Sequence, residues 1–207
     1  AEASGLEKPI GVLNIGGVAN LTLIGRDGSL TAFDTGPGNG LIDAWVAEKT
    51  GGVMDKDGAL SARGRVLEAG LAELLSHPHF AKMGPKSLDR WDFSLDPARN
   101  LTIEDGAATL AEFTARTVAI ALDGAAERPS RLIVCGGGRK NTDLMNRIAR
   151  ACALPLVTAE AVGWRGDLLE AEAFAFLAAR TAKGLPISWP GTTGVNAAMS
   201  GGRVVGP

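Results

Sequence analysis

The feature that most constrains this chain is a pair of glycines, Gly16 and Gly17, set between two apolar, β-prone runs. These runs cover Ile10–Ile15 and Val18–Ile24. A polar turn follows, and a third run over residues 30–33 ends at Asp34, before a glycine-proline segment. Short apolar runs joined by turn residues are typical of strands. The stretch therefore predicts an antiparallel meander of three strands.

Each polar feature of this stretch has two interpretations. Without Cβ atoms, Gly16 and Gly17 would let a phosphate approach the backbone N–H groups. A glycine pair between strands is nevertheless more often a bulge or a tight turn. Asp34, where a strand opens into a loop, could be a catalytic carboxylate or the start of an Asx-turn. Asn39 fits the N-cap of the helix that follows.

Composition narrows the class of protein. The chain has 207 residues, 45% of them hydrophobic, and a net charge of -2 without a basic tract. Nothing in it favours binding to nucleic acid or to an anionic membrane surface. No apolar run is long enough for a membrane span, and we expect no signal peptide. Two cysteines, Cys135 and Cys152, are too few for a disulfide framework and favour a cytoplasmic protein.

Helical and strand patterns alternate in the rest of the chain. Apolar spacing predicts helices at 41–50, 59–76, 102–126, 141–153 and 167–183, and short strands at 131–134 and 154–157. In the last helix, Leu169, Ala173, Phe176 and Leu177 are expected to face the core. Three strands followed by alternating helices and strands predict an α/β fold with a mixed sheet.

A long irregular loop at 77–93 contains both histidines. Loops of this length in compact domains are often functional. His77 and His79 have no third ligand at a suitable spacing, which argues against a zinc site.

A second glycine segment follows the buried strand at 131–134. Gly136, Gly137 and Gly138 lie between that strand and a helix, where free N–H groups and the helix dipole favour an anion. A tight turn explains them equally well, and neither a Walker A motif nor a dinucleotide fingerprint is present. Two glycine turns and the Asp34 carboxylate together suggest a phosphate-handling cleft, in which Asp34 could activate a hydroxyl or water.

Other carboxylates are less specific. Asp43 and Glu48 are interpreted as surface charges of a helix. Glu170 lies near a helix start, where the dipole favours a carboxylate, and it could equally project into the cleft.

Five segments together resemble the anhydro-N-acetylmuramic acid kinases of the sugar kinase/Hsp70/actin superfamily. They are N-I-G-G-V-A-N-L-T (14–22), F-D-T-G-P-G-N-G-L-I-D-A-W (33–45), C-G-G-G-R-K-N (135–141), G-D-L-L-E-A-E-A-F-A-F-L-A (166–178) and L-P-I-S-W-P-G-T-T-G-V (185–195). A sixth, P-K-S-L-D-R-W-D-F (85–93), resembles the family's P-K-S-T-G-R-E-x-F, with Leu88 and Asp89 in place of Thr and Gly.

The resemblance implies an actin-like ATPase domain of the ribonuclease H-like type. It implies an enzyme that uses ATP and Mg²⁺ on 1,6-anhydro-N-acetylmuramic acid, in the recycling of peptidoglycan. Water would open the anhydro bridge while O6 takes the γ-phosphate, giving N-acetylmuramic acid 6-phosphate. The remaining alternatives are another sugar or acetate-type kinase of the superfamily and a non-catalytic, actin-like nucleotide-binding module.

The resemblance also implies roles for particular residues. Asp34 matches the general base that acts on the attacking water, and Glu170 matches a glutamate near the sugar. The phosphate-binding element matches Asn14, Gly16, Gly17 and Asn20. The adenosine element matches Gly136, Gly137, Gly138 and Asn141.

Members of this family are longer than 207 residues. Their first domain carries the elements G-T-S-x-D-G and S-H-G-Q-T, and neither string occurs here. We therefore expect residues 1–9 to be a linker from an N-terminal domain and residues 10–207 to be a C-terminal domain. That N-terminal domain is the expected partner, and the helices at 102–126 and 141–153 could form a homodimer surface. The chain alone is expected to have little kinase activity.

Overall fold

A five-stranded mixed sheet lies at the centre of the chain, described by a computed structural model over residues 5–82, 84–89, 91–203 and 205. Its strands are β1 (Ile10–Ile15), β2 (Val18–Ile24), β3 (Leu30–Pro37), β4 (Leu132–Cys135) and β5 (Leu156–Thr158). Their order across the sheet is β3-β2-β1-β4-β5, with β1, β2 and β3 antiparallel and β1, β4 and β5 parallel. The predicted meander and mixed α/β sheet are confirmed.

Strand β3 runs further than the sequence predicted. It ends at Pro37, so Asp34 lies inside the strand rather than at its end. Asn20 of β2 pairs with Asp34, the next pair is Ala19 with Gly36, and Thr35 is therefore the extra residue of a β-bulge. The Thr35 hydroxyl donates to the Ala19 carbonyl oxygen (3.2 Å), which holds the strand together across the bulge.

The described part of the chain contains six α-helices. They are α1 (Gly40–Thr50), α2 (Glu68–Leu75), α3 (Ile103–Asp123), α4 (Thr142–Cys152), α5 (Leu169–Ala182) and α6 (Pro190–Thr193). Helix α3 begins at a Thr102 N-cap, whose hydroxyl accepts the Asp105 N–H (3.1 Å), and it packs against α4, α1 and the sheet. The five predicted helices are present, with differences at 59–76 and in α5.

The core lies between α3 and one face of the sheet. Phe113 of α3, Trp45 of α1 and Leu13 of β1 are fully buried there. Burying one such side chain is worth about 1.5–3 kcal/mol. Trp45 packs against α3 at Gly106, where a Cβ atom would overlap the indole ring. The indole Nε1–H of Trp45 donates to the Ile103 carbonyl oxygen (2.9 Å).

The helix predicted at 59–76 is wrong in its first half. Only Glu68–Leu75 is α-helical, and a short 3-10 turn covers Ser61–Arg63. The Asp55 carboxylate accepts the N–H groups of Leu60 and Ser61 at 2.8 and 3.0 Å, which replaces the hydrogen bonds of a helix. Gly64 then lies so close to α3 that a Cβ would overlap the Glu104 carbonyl oxygen.

Helix α5 does not face the core as predicted. It has no buried residue, and Phe174 and Phe176 are 66% and 59% exposed. Its sequence is apolar on nearly every side because alanines alternate with the aromatic residues, so the pattern could not identify a single packed face. The Arg180 guanidinium lies over the rings of Phe176 and Trp189 and holds the end of the helix against the tail.

Candidate functional site

Four polar side chains form a row across the sheet, on the face opposite α3. Strand pairing places Asp34 beside Asn20, Asn20 beside Asn14, and Asn14 beside Cys135. Paired residues on neighbouring strands point to the same face, and the flanking residues Leu13, Leu21 and Phe33 belong to the core on the other face. With strands about 4.8 Å apart, this polar row spans roughly 14 Å.

The first glycine turn (Gly16 and Gly17) and the second glycine turn (136–138) meet at one edge of the sheet. They follow β1 and β4, which are parallel neighbours, so their carboxyl ends coincide. Gly136 has φ 78°, and a Cβ there would lie 2.5 Å from the Asn14 Oδ1 and from the Ile15 carbonyl oxygen. A Cβ at Gly138 would overlap the Ile15 side chain. The structure thus brings both predicted glycine elements together beside Asn14.

The loop after β3 closes over the first glycine turn. Asn39 N–H donates to the Gly16 carbonyl oxygen (2.7 Å), and Gly38 and Gly40 N–H donate to that of Gly17 (2.9 and 3.1 Å). A Cβ at Gly38 would overlap the Gly16 carbonyl oxygen. Glycine is needed at position 38 because two backbones touch there.

Asn39 is a site residue that sequence reasoning placed only as an N-cap. It occupies the N-cap position of α1, but its side chain makes no capping hydrogen bond. Its amide lies instead beside the second glycine turn, with Oδ1 3.1 Å from the position of a Cβ on Gly138. The signal in the sequence was its place within G-P-G-N, directly after the strand that carries Asp34.

Gly17 faces open space. It is exposed, its φ lies outside the left-handed region, and a Cβ built on it meets nothing within 4 Å. The fold of the described chain therefore does not require glycine at this position. Gly16 differs, because its N–H donates to the Val18 carbonyl oxygen (3.2 Å). This N–H is therefore not free to bind a phosphate, although the sequence had suggested that it would be.

The 77–93 loop binds Asp34 through three hydrogen bonds. Asp34 N–H donates to the Lys86 carbonyl oxygen (2.9 Å), its own carbonyl oxygen lies 2.9 Å from His79 Nε2, and Leu88 N–H donates to its Oδ2 (2.8 Å). The carboxylate is thus bonded to a distant residue and forms no Asx-turn. Burial raises the pKa of Asp34, opposed by the Leu88 N–H and by the nearby His79.

Aromatic packing fixes this loop on the core. The rings of His77 and Phe93 lie 4.6 Å apart, and Phe93 packs edge-on against Phe113 of α3 at 5.3 Å. Leu88 and Asp89 line a small depression together with Gly17. Leu88 and Asp89, which depart from the family's pattern, therefore lie beside the first glycine turn. Met83 and Arg90 of the loop lie outside the described residues.

Asp43 is not the surface charge that the sequence suggested. It lies one turn after Asn39 on α1 and is partly buried. Burial, together with the nearby carboxylate of Asp55, raises the pKa of Asp43 to about 6.

The two remaining predicted site residues differ in position. Asn141 is buried, and its Oδ1 accepts the Leu144 N–H (2.9 Å) as the N-cap of α4, directly after the second glycine turn. Glu170 is exposed on the first turn of α5, and no described contact joins it to Asp34.

An ionic network connects the second glycine turn to the start of α5. The buried guanidinium of Arg139 contacts Glu160 and Asp167, at 2.6 and 2.8 Å. Hydrogen bonds from Arg139 lower the pKa of both carboxyl groups. Within the described ranges, no three His, Cys, Asp or Glu side chains are grouped to hold a metal ion, and no helix there is long and apolar enough to cross a membrane.

A mixed sheet in the order β3-β2-β1-β4-β5, with glycine turns at the carboxyl ends of its neighbouring strands β1 and β4, defines an α/β domain with a mixed sheet and flanking helices. Its sequence identifies the group within that class. The chain belongs to the anhydro-N-acetylmuramic acid kinase family, which it matches over residues 5–206.

The curated relatives that this chain matches carry the name of the same family. The anhydro-N-acetylmuramic acid kinase of Caulobacter vibrioides is 60% identical over 206 residues, which are 100% of this chain and 56% of that protein. The enzymes of the same name from Phenylobacterium zucineum and Methylorubrum populi are 52% and 53% identical over 207 residues and are covered to 56% and 55%. The chain thus spans about half the length of the curated relatives it matches.

Solved structures are more distant. A xylulose kinase from Lactobacillus acidophilus aligns with a TM-score of 0.47 and 15% identity, over 72% of this chain and 35% of that one. An activator of 2-hydroxyisocaproyl-CoA dehydratase from Clostridium difficile aligns with a TM-score of 0.46 and 16% identity, over 74% and 55%. The family match and the strand order, rather than these similarities, support the assignment.

Proposed function

We propose that this chain serves the ATP-dependent opening of 1,6-anhydro-N-acetylmuramic acid, with phosphorylation of O6 to give N-acetylmuramic acid 6-phosphate in the recycling of peptidoglycan. The curated relatives are anhydro-N-acetylmuramic acid kinases, which supports this activity. The observation that carries it is the polar row, which has the desolvated carboxylate of Asp34 at one end and the glycine turns at the other.

The reaction requires two coupled bond changes. The oxygen of water bonds to C1 of the sugar as the C1–O6 bond breaks. O6 bonds to the γ-phosphorus as the bond from that phosphorus to the β-phosphate oxygen breaks, which releases ADP. The proton lost by the attacking water passes to the Asp34 carboxylate.

Asp34 suits the role of general base. Its raised pKa makes the carboxylate a stronger base than that of an exposed aspartate. The Leu88 N–H holds one carboxylate oxygen and so fixes the plane of the group. A base that cannot rotate freely keeps its oxygen aimed at one position for water.

The glycine turns suit the phosphates and nucleoside of ATP. Open space above Gly17 would accept a phosphate chain against bare backbone, with Asn14 and Asn20 as flanking hydrogen-bond groups. The second glycine turn and the start of α4 at Asn141 would hold the adenosine.

Mg²⁺ would be held mainly by the phosphates of ATP, beside the side-chain amides of the polar row. This fits the amide-rich polar row, because Mg²⁺ prefers oxygen donors and usually binds proteins through few of them. When bound, the ion would offset the negative charge that develops during phosphoryl transfer.

The exposed helix α5 supports a role for a second domain. We propose that it packs against the N-terminal domain of the family proteins, with residues 1–9 as the linker; residues 1–4 lie outside the described range. An interface there would cover Phe174 and Phe176 and bring Glu170 near the sugar.

ATP as phosphoryl donor and the two free, buried cysteines fit a cytoplasmic protein.

The experiment uses the complete gene product that contains this chain, incubated with ATP, Mg²⁺ and the anhydro-sugar. The expected product has the mass of the sugar plus one phosphoryl group and one water. A phosphorylated sugar without added water would instead support another sugar kinase, and ATP binding without sugar-dependent turnover would support a nucleotide-binding module. In the same assay the 207-residue chain alone is expected to consume little ATP.

A further inference from the structure

His79, Asp34 and Lys86 form a closed ring of hydrogen bonds at the edge of the sheet. His79 Nε2 lies 2.9 Å from the Asp34 carbonyl oxygen, Asp34 N–H donates to the Lys86 carbonyl oxygen (2.9 Å), and Lys86 Nζ donates to the His79 carbonyl oxygen (3.1 Å). We propose that His79 is a positioning residue, which fixes the backbone of Asp34 and thereby aims its carboxylate. This inference rests on the proposed role of Asp34 as general base.

The position of Asp34 in the sheet explains why such a residue is needed. Strand β3 lies at the sheet's end, so the outward backbone groups of Asp34 face no further strand. The bulge at Thr35 also interrupts regular pairing directly beside it. The Lys86 carbonyl oxygen accepts the Asp34 N–H, and His79 Nε2 bonds to the Asp34 carbonyl oxygen, in place of a neighbouring strand. Because the backbone dihedral angles determine which side-chain rotamers are allowed, this restraint extends to the carboxylate.

The hydrogen bond to the Asp34 carbonyl oxygen determines which ring nitrogen of His79 carries a proton. A carbonyl oxygen only accepts hydrogen bonds, so Nε2 of His79 must carry the proton. The ring is 1% exposed, and burial lowers the pKa of His79. The charges that face the ring are Asp34 on β3 and Lys82 and Lys86 on its own loop. The hydrogen bond to the Asp34 carbonyl oxygen and the Asp34 carboxylate oppose the effect of burial on this pKa, whereas the two lysines add to it. A lowered pKa favours the neutral imidazole, whose single N–H is then the one that donates to the Asp34 carbonyl oxygen.

Two variants separate the donor from the shape of the ring. His79→Phe keeps a buried planar ring without a donor, whereas His79→Gln keeps an N–H near the position of Nε2. In the complete gene product, His79→Phe is expected to lower kcat by about tenfold, the effect of one hydrogen bond, with KM for ATP little changed. It should also shift the acid limb of the kcat–pH profile, which reports Asp34, and His79→Gln should restore both.

The outcomes separate this inference from the proposed function. If Asp34→Asn retains activity, the proposed function fails whatever His79 does. If Asp34→Asn is inactive while a folded His79→Phe enzyme keeps the native kcat and pH profile, only the positioning role is overturned. Should His79→Phe not fold, the ¹⁵N spectrum of the native His79 ring gives the answer. A neutral Nε2–H tautomer that does not titrate above about pH 6 supports the proposal, and an Nδ1–H tautomer or titration at the ordinary pKa contradicts it.

Discussion

Asn20 lies directly opposite Asp34 on the paired strands β2 and β3, at the position where the bulge at Thr35 shifts the register. The amide and the carboxylate therefore share one face of the sheet. Since Asn14 is in turn paired with Asn20, the candidate base and the glycine turns are connected through rigid strands. Strands hold side chains more precisely than loops do, which suits a site that must align a base with a phosphate chain.

The two glycines Gly17 and Gly38 are predicted to fail in different ways when replaced by alanine. Gly17→Ala should leave the unfolding free energy within about 0.5 kcal/mol of native, since its Cβ meets open space. It should nevertheless weaken ATP binding severalfold, because the methyl group enters the space proposed for phosphate. Gly38→Ala should cost roughly 1–3 kcal/mol of stability through overlap with the Gly16 carbonyl oxygen. Urea unfolding and calorimetric titration with ATP measure both; native ATP affinity in folded Gly17→Ala would contradict the phosphate assignment.

Asp43 is predicted to reduce stability at neutral pH. Because its pKa is raised to about 6, the folded state keeps a proton that the unfolded state releases between about pH 4 and 6. Stability is therefore lost as the pH rises through that window. Asp43→Asn should increase the unfolding free energy by up to about 1 kcal/mol near pH 8, after allowance for solvent screening, and by little near pH 3.5.

The control for Asp43 is Asp27→Asn on the exposed turn after β2. Hydrogen bonds from Ser29 lower the pKa of Asp27, so this change should not stabilise the chain at neutral pH. Unfolding curves at both pH values distinguish the two variants. Equal effects of Asp43→Asn at both values would show that its carboxyl group does not titrate as described.

The buried guanidinium of Arg147 is predicted to be essential for packing. It contacts Asp143 (2.7 Å) and Glu112 (3.2 Å), and its side chain is 9% exposed. Arg147→Met therefore removes the cation beside the partly buried Asp143 carboxylate, while Glu112 keeps its ion pair with Arg116 (2.8 Å). The expected loss is about 3–5 kcal/mol. Arg26→Met, which removes a guanidinium that is 73% exposed, should cost about 0–1 kcal/mol. Similar losses for both variants in urea unfolding would contradict the packing of α3 against α4.

Phe174 on α5 is predicted to matter only where a second domain is present. Its ring is already exposed, so Phe174→Ser should change the stability of the 207-residue chain by less than about 0.5 kcal/mol. In the complete gene product the same change should lower the unfolding temperature. Phe113→Ala, in the core, should cost about 3–5 kcal/mol in both proteins. An unchanged melting curve of the complete gene product with Phe174→Ser would rule out docking through this face.

The sequence predicted the features that depend on local patterns. Strands β1 and β2 have the expected bounds because alternating apolar residues and the glycine pair act within a few positions. Asp34 was placed at a strand end because Gly36 and Pro37 are typical of loops, while a bulge depends on pairing with β2 that no local pattern reveals. The hydrogen bond between His79 and Asp34 joins residues 45 positions apart and could be found only in the folded chain.

Helix α5 shows a different limit of the sequence. Its existence was predicted because alanine, leucine and glutamate are strong helix formers. Its packing was predicted wrongly because Phe176 was expected in the core, whereas no described element covers that ring. Apolar residues indicate that a surface will be covered but do not identify what covers it.

The most direct test of the central claim compares Asp34→Asn with the native form of the complete gene product, with the anhydro-sugar, ATP and Mg²⁺ present. The account predicts that native enzyme forms a sugar phosphate that has gained one water. Asp34→Asn should form it about 100- to 10,000-fold more slowly, the range for loss of a general base. It should still bind ATP and melt no lower near neutral pH, because burial of the charged Asp34 is unfavourable. Near-native formation of this product by folded Asp34→Asn would contradict the account.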